Sequence, residues 1–224
     1  MAISHDKVTV GGADKGVQDR LLDAAEELFC EHGFEATSIR DIAAVAGCNI
    51  ASVNYYFGGK EQLYREVWRR HLILVRDSRL ASIDKVMSQN DEQPRLEDLL
   101  RSYANTFVEP LVDESKARRF MKLMAREMID RRLPPNMFFE EMIIPIMTAL
   151  QRALVKTCPG LQQSKAQLVI LSLVGQLMNA LHSKTMFEQA DNPELPKFDL
   201  SEVVNHIVKF SAAGIRACAE EERA

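Results

Sequence analysis

Residues 33–61, GFEATSIRDIAAVAGCNIASVNYYFGGKE, crowd two short helical patterns around one interruption. Ile39, Ile42, Ala43 and Ala46 recur at the spacing of a single helical face, Gly47 breaks the run, and Asn49 opens a second pattern ending in Tyr55-Tyr56-Phe57. Thr37 or Ser38 caps the first piece, and Ser38 with Asp41 has the spacing of a capping box. Asn49 is a good N-cap for the second. The spacing predicts helices over about 38–46 and 50–56 with a tight turn between them. That is the layout of a helix-turn-helix, whose second helix enters the DNA major groove.

The rest of the chain repeats the helical period. Leu21, Leu22, Ala25, Leu28 and Phe29 predict a helix over 18–32 ended by Gly33 in the left-handed region, after a flexible tail at 1–17 broken by Gly11, Gly12 and Gly16. A long helix from Gly59 or Lys60 into the eighties carries Leu63, Val67, Trp68, Leu72 and Val75. Further helices are marked by Leu96 to Phe107, by Phe120, Met121, Met124 and Met128, and by Phe138 to Leu154 with a kink expected at Pro145. The last two span about 163–187 and 199–219, each with two apolar sides. No segment alternates as a strand does and nothing repeats, so the expected fold is all-α with about nine helices. The expected domains are a head at 18–65 and a second domain at 66–224.

Composition narrows the function classes. With 46% hydrophobic residues the 224-residue chain can bury a sizeable core. It contains no run of 18 apolar residues, and its polar N-terminus lacks the apolar region of a secretory signal, so a cytoplasmic protein without a membrane partner is expected. Cys30, Cys48, Cys158 and Cys218 are scattered, without C-x-x-C or metal-ligand spacing, and read as reduced structural thiols; Cys48, in the turn, is the one with a redox-sensing alternative. The histidines do not cluster, and no phosphate-binding loop, H-E-x-x-H or G-x-S-x-G motif is present, so neither an enzyme nor a metal or cofactor is expected. Net charge is −4, and residues 15–70 hold seven Lys/Arg against nine Asp/Glu. DNA binding would therefore rest on a few placed groups and helix N-termini rather than on a broad basic field.

Those groups can be named. Ile50, Ala51, Ser52 and Asn54 occupy the first turns of the second helix, where base contacts arise: Ser52 can bond a base edge or phosphate, Asn54 can pair with adenine N6 and N7, and Ile50 and Ala51 can lie against a thymine methyl. Tyr55, Tyr56 and Lys60 have the donors to clamp phosphates, as do Thr37 and the N-terminal amides of the first helix at Ser38, with Arg40 one turn on.

The wording of residues 18–65 resembles the tetracycline-repressor (TetR) family of bacterial transcription factors: Thr37, Gly47 with Asn49, the aromatic pair before Phe57, and Lys60 all stand where that family commonly has such residues. Two positions depart from it, Ile50 where a basic or polar residue is common and Asn54 where an aromatic is. Asn54 to Gly58, with Arg126-Glu127-Met128 and Pro145, resembles the CecR-like subgroup. The resemblance implies a repressor that binds a palindromic operator as a homodimer, with a C-terminal domain that takes a small effector and dimerises through its last two helices. The residues allow this independently. Leu168, Leu171, Gly175, Met178 and His182 on one helix, and Val203, Ile207, Phe210 and Gly214 on the next, are surplus to a single core and form an expected dimer interface. Tyr103, Phe107, Met121, Met124, Met128, Phe138, Met142, Met178 and His182 are the candidate effector contacts, soft apolar groups that tolerate repacking, although such a stripe also serves as plain core. The competing function is a helical protein-binding adaptor that no longer reads DNA.

Overall fold

A computed structural model describes residues 11–89, 94–108, 114–189 and 199–220. Among them are nine α-helices and no strand, as the periodicity predicts. These are α1 (Gly11–Ala36), α2 (Ile39–Val45), α3 (Ile50–Phe57), α4 (Lys60–Met87), α5 (Leu96–Val108), α6 (Glu114–Asp130), α7 (Ile144–Thr157), α8 (Gln163–Gln189) and α9 (Leu200–Glu220). The first ten residues of the expected tail lie outside the described ones. From Gly11 onward, however, the chain is helical, not broken. Three glycines cost a helix only about 1 kcal/mol each, and the register set by the buried Leu21, Ala25 and Phe29 carries back through them.

The chain divides into two compact units, Met1–His71 with Arg118–Pro134, and Leu72–Ala117 with Pro135–Ala224. In the first, Leu21, Phe29, Ile42, Val53, Leu63, Val67 and Trp68 form the buried core. Phe29, Phe34 and Tyr64 meet edge to face or stacked, with ring centres 5.0–5.8 Å apart. Gly33 ends the regular part of α1 at φ 80°, ψ 175°, a region open to glycine but distinct from the left-handed helical well expected there. The reason lies on α6. The Arg126 guanidinium donates to the Glu31 carbonyl at 2.8 Å, and its Nη1 stands 2.5 Å from where a Cβ on residue 33 would be.

The apolar face expected on α6 is not the one buried. Met121 and Met128 are exposed, while Leu123 and Glu127 are inside. The Glu127 carboxylate accepts the Tyr64 hydroxyl at 2.9 Å and the Leu133 amide at 2.7 Å, which ties α6 and the bend after it to α4. A buried carboxylate with two donors is tolerable where an unpaired one would not be.

In the second unit α5, α7, α8 and α9 enclose Leu99, Leu100, Leu150, Leu154, Ile170, Leu173, Val208 and Ile215. The kink expected at Pro145 takes the form of a π-helical turn, Phe139–Ile143, running directly into α7. Pro145 has no N–H for the carbonyl of Glu141, four residues back. Arg76 Nη1 reaches that carbonyl instead, at 3.4 Å.

Candidate nucleic-acid interface

The helix-turn-helix is assembled from caps. Ser38 accepts the Asp41 amide and Asp41 accepts the Ser38 amide, so the predicted capping box is present. Gly47 turns the chain at φ 62°, and the Cys48 amide closes the turn on Ala43 O at 2.9 Å. Asn49 caps α3 through its carboxamide oxygen, which accepts the Ala51 amide at 2.9 Å. Gly58, at φ 72°, ends α3 by donating to Asn54 O.

Val53 and Phe57, one turn apart, are buried and pin α3 by one face. Ile50, Ala51, Asn54 and Tyr55 consequently share the opposite, exposed face, with Ser52 and Tyr56 at its margins. Tyr55 is 79% exposed, its ring edge-on to Tyr56 at 4.9 Å. Arg40 is exposed on α2. Lys60 holds its ammonium 4.3 Å over the Phe34 ring, 3.5 Å from Glu35 O, and its partial burial lowers its pKa.

Thr37 needs correction. It is 2% exposed, and its hydroxyl lies 2.7 Å from Gly33 O and 3.2 Å from Leu28 O. Its proton is committed to the end of α1, so its side chain fastens α1 to α2 and is not presented to a phosphate. Exposed Ser38 is the hydroxyl at this helix start. Sequence reading also missed Arg20, which donates from Nε to Ala46 O at 3.2 Å and sets Nη2 3.6 Å from Cys48 Sγ, bracing the turn from α1. An arginine on a predicted helix face gives no signal of such a partner 26 residues away.

Five of the nine acidic residues at 15–70 are engaged in ion pairs with arginine or in a helix cap. Asp23 and Glu26 pair with Arg70, Glu66 with Arg69, and Glu35 with Arg132. Between residues 36 and 60 the only acid is Asp41, and it is used in the capping box.

The remaining expected sites divide. Tyr103 and Phe107 are buried in the second unit, Met142 packs half-buried against the same core, and Phe138 is half-buried. Met121, Met124 and Met128 belong to the first unit, and Met121 and Met128 are surface rather than pocket. Met178 and His182 are exposed on α8, on the face expected to meet a second subunit and not inside a cavity of this chain. On that face Leu168 is 63% and Leu171 69% exposed, and Gly175 is open. On the neighbouring α9, Phe210 is 63% exposed beside Gly214, with His206 stacked on Phe210 at 6.1 Å. Val203 is half-buried, and Ile207, expected at the interface, is buried in the chain's own core. The exposed stripe of α9 is displaced from it by three residues.

A family model described as bacterial regulatory proteins, tetR family, matches residues 21–67, and a second, described as a tetracyclin repressor-like C-terminal domain, matches residues 105–214. The transcriptional dual regulator CecR of Shigella flexneri is 29% identical over 189 residues, 79% of each chain. The transcriptional repressor KstR2 of Rhodococcus jostii is 42% identical over 57 residues, 25% of this chain and 28% of its own. The fold is that of a TetR-family regulator from Mesorhizobium loti, with TM-score 0.65 at 21% identity over 91% of this chain and 96% of that one. It is also that of SmeT, the repressor of a Stenotrophomonas maltophilia multidrug efflux pump, with TM-score 0.60 at 21% identity over 88% and 89%. A helix-turn-helix matched through α3, joined in sequence to a C-terminal domain of the same family, leaves one conclusion: this chain belongs to the TetR family of bacterial transcription regulators, DNA-binding factors and not enzymes.

Proposed function

We propose that the chain is a ligand-responsive repressor that binds a palindromic operator as a homodimer in the bacterial cytoplasm. The observation that carries the reading is the apolar face shared by α8 and α9, where Leu168, Leu171, Met178 and Phe210 stand exposed in a single chain. Large apolar side chains gathered at helical spacing on neighbouring helices mark an association surface. Two helices from each of two copies would make a four-helix interface with two-fold symmetry. Two reading helices related by that symmetry match half-sites about 34 Å apart. The α8 segment Gln163–Lys184 is by length and composition long and apolar enough to cross a membrane. Its buried side already faces the chain's own core, and Gln176, Asn179 and His182 interrupt the rest, which suits a subunit interface better.

Base contacts are assigned to Ser52 and Asn54, with Ile50 and Ala51 against thymine methyls. Phosphate contacts go to Ser38, Arg40, Tyr55, Tyr56 and Lys60, and Asn49 sets the helix start. The effector would shift the population of dimers toward a spacing of the heads that fits the operator poorly.

Fluorescence anisotropy against the DNA upstream of the chain's own gene, at two salt concentrations and with unrelated competitor, tests the reading. The expected result is competitor-resistant binding that weakens steeply with salt as phosphate contacts release counterions. Tyr55→Phe combined with Lys60→Met should weaken binding to all sequences. Asn54→Ala should cost about 1–3 kcal/mol on the operator alone and so relax discrimination. Binding that a genome-wide selection of fragments cannot show to be sequence-selective would instead favour the adaptor.

A further inference from the structure

Arg79 stands apart among the described arginines by a buried Nε that no acceptor meets. Arg69, Arg70, Arg126, Arg132 and Arg216 each meet a carboxylate or a carbonyl. Arg76, one turn earlier on α4, is used twice, by Asp77 at 2.8 Å and by Glu141 O. The side chain of Arg79 pairs with no carboxylate among the described residues, and its Nε is shut off from solvent without a hydrogen-bond partner. Its one strong contact is aromatic. The guanidinium carbon lies 3.9 Å from the centre of the Phe107 ring, and Phe107 meets Tyr103 edge-on at 5.5 Å. Both rings are buried, and half-buried Met142 packs against the same core. Desolvation lowers the Arg79 pKa, offset only in part by Tyr103, and burial raises that of Tyr103.

A guanidinium cannot discard its proton to escape burial, so a desolvated one calls for an acceptor. An aromatic face beneath it leaves the N–H fork directed outward around its own plane, the geometry that takes a carboxylate through two parallel bonds. Phe107 lies directly under that fork, and half-buried Met142, packed against the same core, is the partly open apolar group of the set. We propose that Arg79 is the anchor for the acid group of the effector, and that the effector is an apolar monocarboxylate whose body lies along Phe107 and Met142. The inference rests on the reading of the chain as a ligand-responsive regulator and gives that ligand a chemical class.

Two matched pairs of probes test it, 1-naphthoate with 1-naphthamide and decanoate with decanamide, titrated calorimetrically into the full chain and into Arg79→Met and Arg79→Lys. At least one acid should bind roughly ten- to hundredfold more tightly than its amide, the value of one charge-assisted contact. Arg79→Met should erase that preference, and Arg79→Lys should keep part of it. Without probe, Arg79→Met should melt above the parent chain, because it removes a half-buried charge whose Nε has no hydrogen-bond partner and leaves an apolar side chain over Phe107. Acids that bind no better than their amides, a preference that survives Arg79→Met, or a lower melting temperature for that variant would each overturn the assignment. The same acids are then added to the complex with upstream DNA. Arg79-dependent binding that leaves this complex intact would sink ligand-responsive repression while the site stands. Release that is unchanged in Arg79→Met would sink the site while the repressor reading stands.

Discussion

Glu26 is buried in the unit that carries the reading helix, and its neighbours make that burial stabilising near neutral pH. Burial by itself would raise its pKa, but His71, 3.4 Å away, and then Arg70 outweigh it and bring the value from 4.5 down to about 2. A depressed carboxylate contributes stability that is complete above its unfolded pKa and is lost as pH falls toward its folded one. The predicted window is therefore about pH 5 down to about pH 2, where protonation of Glu26 should remove up to about 3 kcal/mol. Glu26→Gln should lower the neutral-pH stability of the chain and flatten this part of the profile. Denaturant midpoints measured at half-unit pH steps check both, and an unchanged acid limb in the variant would assign the acid sensitivity elsewhere. Nothing in the sequence marks Glu26, since a glutamate on a helix reads as solvated surface until its tertiary partners are known. Thr37 was misread for a related reason. A hydroxyl before a helix is equally suited to phosphate and to a carbonyl of the preceding helix, and only the geometry at Gly33 decides.

Elements were far more legible than their buried polar contacts. Helix existence follows from periodicity and capping, both local, so Ser38 with Asp41, Gly47 and Asn49 mark their boundaries in sequence and hold them in structure. Which face of a helix turns inward is decided by what it meets. On α6 a methionine stripe was outweighed by Glu127, whose two donors come from Tyr64 and Leu133. Gly33 shows the same dependence. The sequence predicts a helix end there, whereas the conformation is set by Arg126 arriving from 93 residues away to occupy the space a side chain would fill. Gly33→Ala should thus cost about 2 kcal/mol or more, combining a backbone that L residues avoid with a collision at Arg126. In an Arg126→Ala background the same substitution should cost measurably less, because only the backbone part remains. Equal costs in the two backgrounds, from chemical denaturation, would show that the guanidinium yields freely and that strain alone requires the glycine.

At the scale of the whole molecule, the surplus of apolar surface on α8 and α9 is the feature that a single chain cannot explain. The inner sides of both helices are already used: Ile170, Leu173 and Leu177 on one and Val204, Val208 and Ile215 on the other are buried in the chain's own core. The outer stripe, Leu168, Leu171, Met178 and Phe210, remains wet in isolation, and burying it between two copies would remove roughly 1.5–3 kcal/mol of unfavourable exposure per large side chain. Gly175 and Gly214 lie on these exposed faces, where an added Cβ would meet nothing within 4 Å among the described residues, leaving room for a partner helix to approach. Leu171→Asp puts a charge in the middle of the stripe while disturbing nothing in the chain's own core, so helix content should be kept and the dimer lost. Light scattering behind size exclusion should then give the monomer mass. DNA affinity should fall by about a hundredfold or more, because two linked heads gain from high effective concentration and a single head does not. Phe210→Asp should act alike from α9. A dimer that survives both substitutions would place the subunit contact on another surface, and DNA binding that survives loss of the dimer would mean that one head suffices.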